Sequence, residues 1–313
     1  MKPPNLFVAI AFMSAACARA QQAENQVNAR HVIGLENVKR NSTGKLTVMN
    51  GVIQFDEGKT DAKVPIASID DLAIGTETTQ SGGKAGTVAK TAAIAAPYDT
   101  GAALSLLLRT KVDILTVSYR DSGGGLHNAI LALAKGQAEH QRAQLIASGA
   151  HASAPTEPNL KERNLEISAG PKTPGQKLSS SAIQIEPVEA GDVRIPAEFR
   201  SAIYEFLVER IRETGPFQQV FRSGDRAAGN IPDLVTLHTT VERFKEGSQM
   251  KREITTVLGA TTISVSASVT ARDKRMLLDA RTQGKVRFFG ENLAVTNDLA
   301  KHIAKLLRKN FGT

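Results

Sequence analysis

The segment from residue 151 to 181 limits this chain most. It holds Pro155, Pro158, Pro171 and Pro174, the glycines Gly170 and Gly175, and the run Ser179-Ser180-Ser181. Proline lacks an amide donor and fixes φ, and clustered Pro, Gly and Ser mark a linker by composition. A chain of 313 residues interrupted in this way is expected to fold as two regions, before and after a linker.

The chain opens with a short basic start at Lys2 and an apolar run from Leu6 to Ala16. That run has the length of a signal peptide and is too short to span a bilayer. Ala18-Arg19-Ala20 is an A-x-A cleavage site, which predicts residues 1–20 as a signal peptide, cut after Ala20 to leave Gln21 first. Ser14-Ala15-Ala16-Cys17 supports a rival reading, a lipobox with Cys17 carrying lipid, although Ser14 stands where Leu is usual. Cys17 is the sole cysteine, so cleavage after Ala20 removes disulfides, thiol nucleophiles and cysteine metal sites together. Export to the periplasm or outer envelope is the expectation, as a free protein in preference to an anchored one.

Composition excludes some function classes. The net charge is +8, but Lys and Arg alternate with Asp and Glu along the chain. Phosphate contacts need a basic stripe, so nucleic acid is not an expected partner. Trp is absent and aromatics are 4% of residues, which argues against stacking platforms for sugars or single strands.

Residues 30–150 read as a β-rich region. Gly44 to Met49 and Val52 to Phe55 flank Asn50-Gly51, a dipeptide suited to two positive φ angles in a tight hairpin. Val64 to Ile69 and Leu72 to Thr76 are further short strands. Val112 to Arg120 and Leu126 to Leu133 form a hairpin across Asp121 to Gly125, and Gln137 to Ser148 reads as a helix stopped by Gly149. The expected product is a small β-barrel or sandwich with a C-terminal helix. Its layout resembles pleckstrin-homology-like and GRAM-like domains. Residues 82–108 form an apolar, Ala-rich insert broken by Pro97 and Asp99. A charge at the bilayer centre costs about 2.5–3.5 kcal/mol. A helical hairpin or loop over the barrel end is therefore favoured over a membrane-touching insert.

Residues 182–313 read as an α+β sandwich in the order β-α-β, antiparallel meander, α. Pro196 opens a helix with Phe199, Ile203, Phe206, Leu207 and Ile211 on one face. Val235 to Val241 and Ile263 to Val269 alternate as half-buried strands, and Met276 to Ala280 and Lys285 to Phe289 continue the sheet. Thr296-Asn297-Asp298 is the expected cap of a last helix striped by Leu299, Ile303, Leu306 and Leu307.

This second region resembles the bacterial domain-of-unknown-function 4410 family. The resemblance runs through Ile183-Gln184-Ile185-Glu186-Pro187, Phe199-Arg200 to Leu207, Asp233-Leu234-Val235-Thr236-Leu237, and Gly247 with the hairpin from Arg252 to Leu278. Its layout is also similar to periplasmic domains of the curli secretion lipoprotein, of lipoprotein activators of penicillin-binding proteins, and of the amino-terminal part of the Tol translocation protein. The resemblance implies a protein-binding or assembly module and carries no active-site residues.

Few residues suggest chemistry. Ser81 and Lys84 fit S-x-x-K, but Gly82 and Gly83 oppose the helical turn that pattern needs. Gly83-Lys84-Ala85 lacks the spacing of a phosphate loop. His31, His127, His140, His151, His238 and His302 include no i, i+4 pair, and no metal ligand set is expected. His127 and His238 read as half-exposed strand residues. Asp70-Asp71 should diverge on a strand, and Asp225 reads as a polar turn. Arg243, Lys245, Lys251 and Arg252 flank a hairpin tip that could meet an acidic partner or lipid headgroups.

The leading expectation is an exported, non-catalytic binding or assembly module of the bacterial cell envelope, needing no cofactor. Its expected partners are envelope proteins, with a membrane surface as a second class. The alternatives are a subunit of a membrane oligomer or channel inserting residues 82–108, and a secreted hydrolase with a site assembled from distant residues.

Overall fold

The structure, a computed structural model, describes residues 26–80, 109–152, 177–247, 259–286 and 291–312. Ala20, Gln21, Cys17, Ser81, Lys84, the insert 82–108, Lys251, Arg252 and most of the linker lie outside the described residues.

The described chain is α+β, with two sheets and helices packed on them. The first sheet comprises β1 (Gln26–Ile33), β2 (Ser42–Met49), β3 (Val52–Asp56), β4 (Asp61–Pro65), β5 (Ile69–Gln80), β6 (Arg109–Arg120) and β7 (Leu126–Ala134). Neighbours are antiparallel in the order β4-β3-β2-β1-β7-β6-β5. Asn50 and Gly51 take φ of 52° and 73°, the left-handed values that a two-residue hairpin turn demands. Helix α1 (Gln137–Ala147) buries Ala138 and Leu145 among Leu46, Phe55, Leu115 and Leu131.

The expected small barrel is not formed. The end strands β4 and β5 are joined by a 3-10 turn at Ile66–Ser68 and do not pair with each other. The second region occupies the neighbourhood of β5 instead. Gly75 lies against the Glu198 carboxylate, and a β-carbon there would collide with it.

The second sheet comprises β8 (Ala182–Ile185), β9 (Gln219–Arg222), β10 (Val235–Lys245), β11 (Thr261–Ala271) and β12 (Met276–Val286) in the order β12-β11-β10-β8-β9. β8 runs parallel to both β9 and β10, while β10, β11 and β12 form the antiparallel meander. Helix α2 (Ala197–Thr214) provides the crossover from β8 to β9, and α3 (Ala294–Asn310) closes the chain. The strand segments expected from Met276 and from Lys285 are continuous as far as Val286, and Phe289 lies outside the described residues. The linker is tied down at its end: Leu178 exchanges backbone hydrogen bonds with Asn310 and Gly312, and Asp233 accepts from the backbone and hydroxyl of Ser181.

The two regions share a core. Residues 129–134 form a continuous apolar run and residues 127–133 are all buried, the pattern of a strand covered on both faces. Alternate residues of β7 divide accordingly. Ala129, Leu131 and Leu133 face the α1 side, and Ile130 and Ala132 join Ile203, Leu207, Val265 and Leu299 in the larger core. α2 therefore lies between the two sheets.

α3 starts earlier than its sequence suggests, at Ala294, and Thr296-Asn297-Asp298 do not cap it. Thr296 donates to the Leu293 carbonyl, and Asp298 accepts from the Lys285 amide at 2.9 Å. The carboxylate at the start of α3 comes from β5: Glu77 accepts from the amides of Asn292 and Leu293, both at 3.1 Å. A carboxylate at a helix start answers both the orphan amides and the dipole. Replacing Glu77 with Ala should lower the unfolding free energy by about 1–2 kcal/mol. Urea denaturation checks this, and a single transition reported by probes in both regions is expected because the core is shared.

Candidate functional site

Antiparallel pairing of β1 with β7 places the loop after β1 beside the start of β7. Gly34, at φ 102°, lets this loop touch β7; a β-carbon would run into the Asn128 carbonyl oxygen. His31 is 1% exposed and fixes the loop from below: its Nδ1 lies 3.1 Å from the Lys39 carbonyl, and its Nε2 accepts from the Leu35 amide at 3.0 Å. This pairing selects the neutral ring with its proton on Nδ1. Burial lowers the His31 pKa, against smaller raising effects that include the Lys39 carbonyl and Glu205.

The loop carries Glu36, and the β6–β7 turn beside it carries Asp121. Asp121 Oδ1 accepts from the Gly125 amide at 2.9 Å, while Oδ2 lies 3.1 Å from His127 Nε2. Glu36 Oε1 is 3.4 Å from the same nitrogen. His127 is 2% exposed, contrary to the half-exposed position expected for it, and its ring stacks on Tyr119 with centroids 5.0 Å apart. Burial works to raise the Asp121 pKa, but the His127 and Gly125 hydrogen bonds outweigh it and the net direction is down.

Facing these groups are Glu205 of α2 and Arg222 at the end of β9. Arg222 Nη1 and Nη2 each donate to the Glu205 carboxylate at 2.9 Å, a bidentate pair almost removed from water. Glu205 also accepts from the Asn128 amide at 2.7 Å, and Arg222 donates to the Leu126 carbonyl at 2.9 Å. Tyr204 donates to that same carbonyl and accepts from the Ser223 amide. Burial alone would lower the Arg222 pKa; the Glu205 charge and hydrogen bonds reverse this and raise it.

Between these elements lies a cavity of about 520 Å³. Arg40 and Glu209 pair across its rim at 2.9 Å. Among the described residues its lining contains carboxylates, imidazoles and guanidinium groups. Such a lining is suited to holding charge. A second cavity of about 300 Å³ lies near Asp70, Arg120, Asn128 and Arg200. Asp70 pairs with Arg120 at 2.9 Å, and Asp225 caps the 3-10 turn at Arg226–Asn230, so both serve local structure.

Arg243 and Lys245 are exposed at the end of β10, as a hairpin position requires, with Phe244 between them turned inward against Phe199. Neither joins the cavity. His238 is half-buried, 3.3 Å from Thr270 Oγ1. The grouping of Glu36, Asp121 and His127 was not legible in the sequence, because strand pairing rather than periodic spacing assembles it.

No family model matches this sequence, and no curated protein does. Among solved structures, the PelC dodecamer from Paraburkholderia phytofirmans is 13% identical, with 47% of this chain and 96% of that one covered and a TM-score of 0.34. A neuraminyllactose-binding hemagglutinin homolog from Helicobacter pylori is 12% identical, covering 45% and 90%, at a TM-score of 0.21. Likenesses this low carry nothing about what the chain does.

Removing one member of a buried ion pair leaves a charge without its partner. Arg222→Met should cost about 3–5 kcal/mol, and the double change Glu205→Leu with Arg222→Met distinctly less. Denaturant titration of the three proteins checks the order. His31 gives a pH dependence. Its folded pKa is lowered, so the unfolded chain binds the extra proton as pH falls through about 6.5. Stability should therefore decline below that pH until the folded ring also titrates. Melting temperatures from about pH 7.5 to 5.5 check this, and His31→Asn should flatten the slope across that window.

Proposed function

We propose that the chain is an exported, non-catalytic binding and assembly module of the bacterial cell envelope, and that it engages a partner protein along the outer edge of β12. The observation that carries this reading is that edge. Among the described residues β12 pairs only with β11, and α3 reaches its outer backbone at Gln283 and Lys285. There Asp298 accepts from the Lys285 amide, and the His302 ring meets the Gln283 carbonyl at 2.8 Å. By antiparallel alternation Arg281 and Asp279 turn their amides outward in the same way, without such a cover among the described residues. Their side chains are exposed. A strand from a partner can add to such an edge through main-chain hydrogen bonds.

The other edges suit this less. β4 is short and shows Asp61, Lys63 and Pro65, a combination that discourages pairing. The leader sequence supports export, and Arg243 and Lys245 add exposed cations for an acidic envelope partner. No helix among the described residues is long and apolar enough to cross a membrane.

The test is cross-linking in the native cell, with recovery of the full chain and whatever is attached to it. Arg281→Pro removes an outward amide that the sheet does not use, a change edge strands tolerate. Capture of one envelope protein should fall by about tenfold or more, equivalent to losing roughly 1.4 kcal/mol. Arg281→Ala, which keeps the amide, should bind normally. Equal capture by all three proteins would reject the edge, and no specific capture would reject the binding role.

A further inference from the structure

The charges around the large cavity do not balance locally. Glu205 is matched by Arg222 and Glu209 by Arg40. At the other end Glu36 and Asp121 converge on His127 alone. His127 Nε2 carries at most one hydrogen, whatever the charge of the ring, and one hydrogen cannot satisfy two carboxylates. No Lys or Arg forms a salt bridge with either acid among the described residues.

From this we infer that Glu36, Asp121 and His127 form a binding site for one divalent transition-metal ion, with zinc the best fit. One ligand atom from each residue lies within 4.8 Å of the other two. The distances from Nε2, 3.1 Å to Asp121 and 3.4 Å to Glu36, bracket the ligand–ligand edge of about 3.3 Å expected around tetrahedral zinc with bonds near 2.0–2.1 Å. One nitrogen and two oxygens form a borderline donor set that suits zinc, and that calcium or magnesium would not choose.

The supports around the three residues are built rather than incidental. The Gly125 amide holds Asp121 Oδ1, leaving Oδ2 for the ion. Stacking on Tyr119 fixes the plane of the His127 ring, and the Tyr119 hydroxyl in turn donates to the Gly34 carbonyl at 3.3 Å. When Nε2 binds the ion the ring proton sits on Nδ1, which is buried and has no hydrogen-bond acceptor among the described residues. Glu36 is 58% exposed and can swing onto the ion from the solvent side. Three protein ligands beside a cavity leave a fourth position open to water or a small anion. This site is independent of the β12 edge.

The test uses the full chain, purified without a histidine tag, stripped with chelator and dialysed against Zn²⁺. Bound metal is read by mass spectrometry, and Co²⁺ is substituted to read the ligand field. One ion per chain is expected, with a cobalt visible spectrum of low coordination number and a melting temperature that rises with Zn²⁺. Glu36→Gln, an exposed change that spares the fold, and Asp121→Asn should each weaken binding at least about tenfold. Asp225→Asn, on the same cavity rim, should not. Failure to retain zinc, or equal retention by the Glu36 and Asp121 variants, would overturn the site and leave a hydrogen-bonded His–carboxylate cluster.

Discussion

Helix α2 has to bury two faces, because one sheet lies on each side of it. Phe199, Ile203, Phe206, Leu207 and Ile211 are all buried in the core that also takes Ile114 and Ile130 from the first sheet and Ile183 and Leu237 from the second. Burial of side chains this size stabilises by about 1.5–3 kcal/mol each relative to exposure. The cost falls on the polar residues caught in the same layer. Glu205 lies on the helix face that meets β7, so a guanidinium must accompany it. Arg222 does so from the end of β9, and the hydrogen bonds from Asn128 and to Leu126 fill the remaining valences. Removing the helix from between the sheets would expose both hydrophobic layers and this pair together.

The same arrangement explains why the first sheet stays open. A seven-stranded antiparallel sheet with a helix at one side could close on itself, but β5 is engaged elsewhere. Its Gly75 admits the Glu198 carboxylate, and its Glu77 supplies the anion at the start of α3. Burial raises the Glu198 pKa, the expected direction for a carboxylate taken from water without a cation. At the opposite end, the β6–β7 hairpin is fastened to the second sheet by the Leu126 amide donating to Ser223 and the Arg226 amide donating to Gly123. The β5 edge and the β6–β7 hairpin are thus used to join the two regions, whereas among the described residues β12 pairs only with β11.

The polar cavity lies where these fastenings meet. Its lining comes from the loop after β1, the β6–β7 turn, α2 and the turn after β9, elements widely separated in sequence. Strand pairing and helix packing fix their relative positions, so the charged groups are held without needing a ligand to organise them. Such preorganisation is what a binding site for a small charged species requires.

Much of this was legible in the sequence. Asn50-Gly51 specified its hairpin, the alternation in Val235 to Val241 and Ile263 to Val269 specified which face of the second sheet is buried, and the stripe Leu299, Ile303, Leu307 specified the buried side of α3. These are local properties, set by side-chain period and by which φ values a residue tolerates. The continuous apolar run of β7 also held a signal, two covered faces, although nothing in it named the partner on either side. Only the tertiary structure decided the rest. Glu77 at the α3 terminus, Arg222 beside Glu205, and Glu36 and Asp121 on His127 are contacts between residues that no sequence period connects. They depend on strand order and on α2 lying between two sheets, and those follow from the sum of the packing rather than from any one segment.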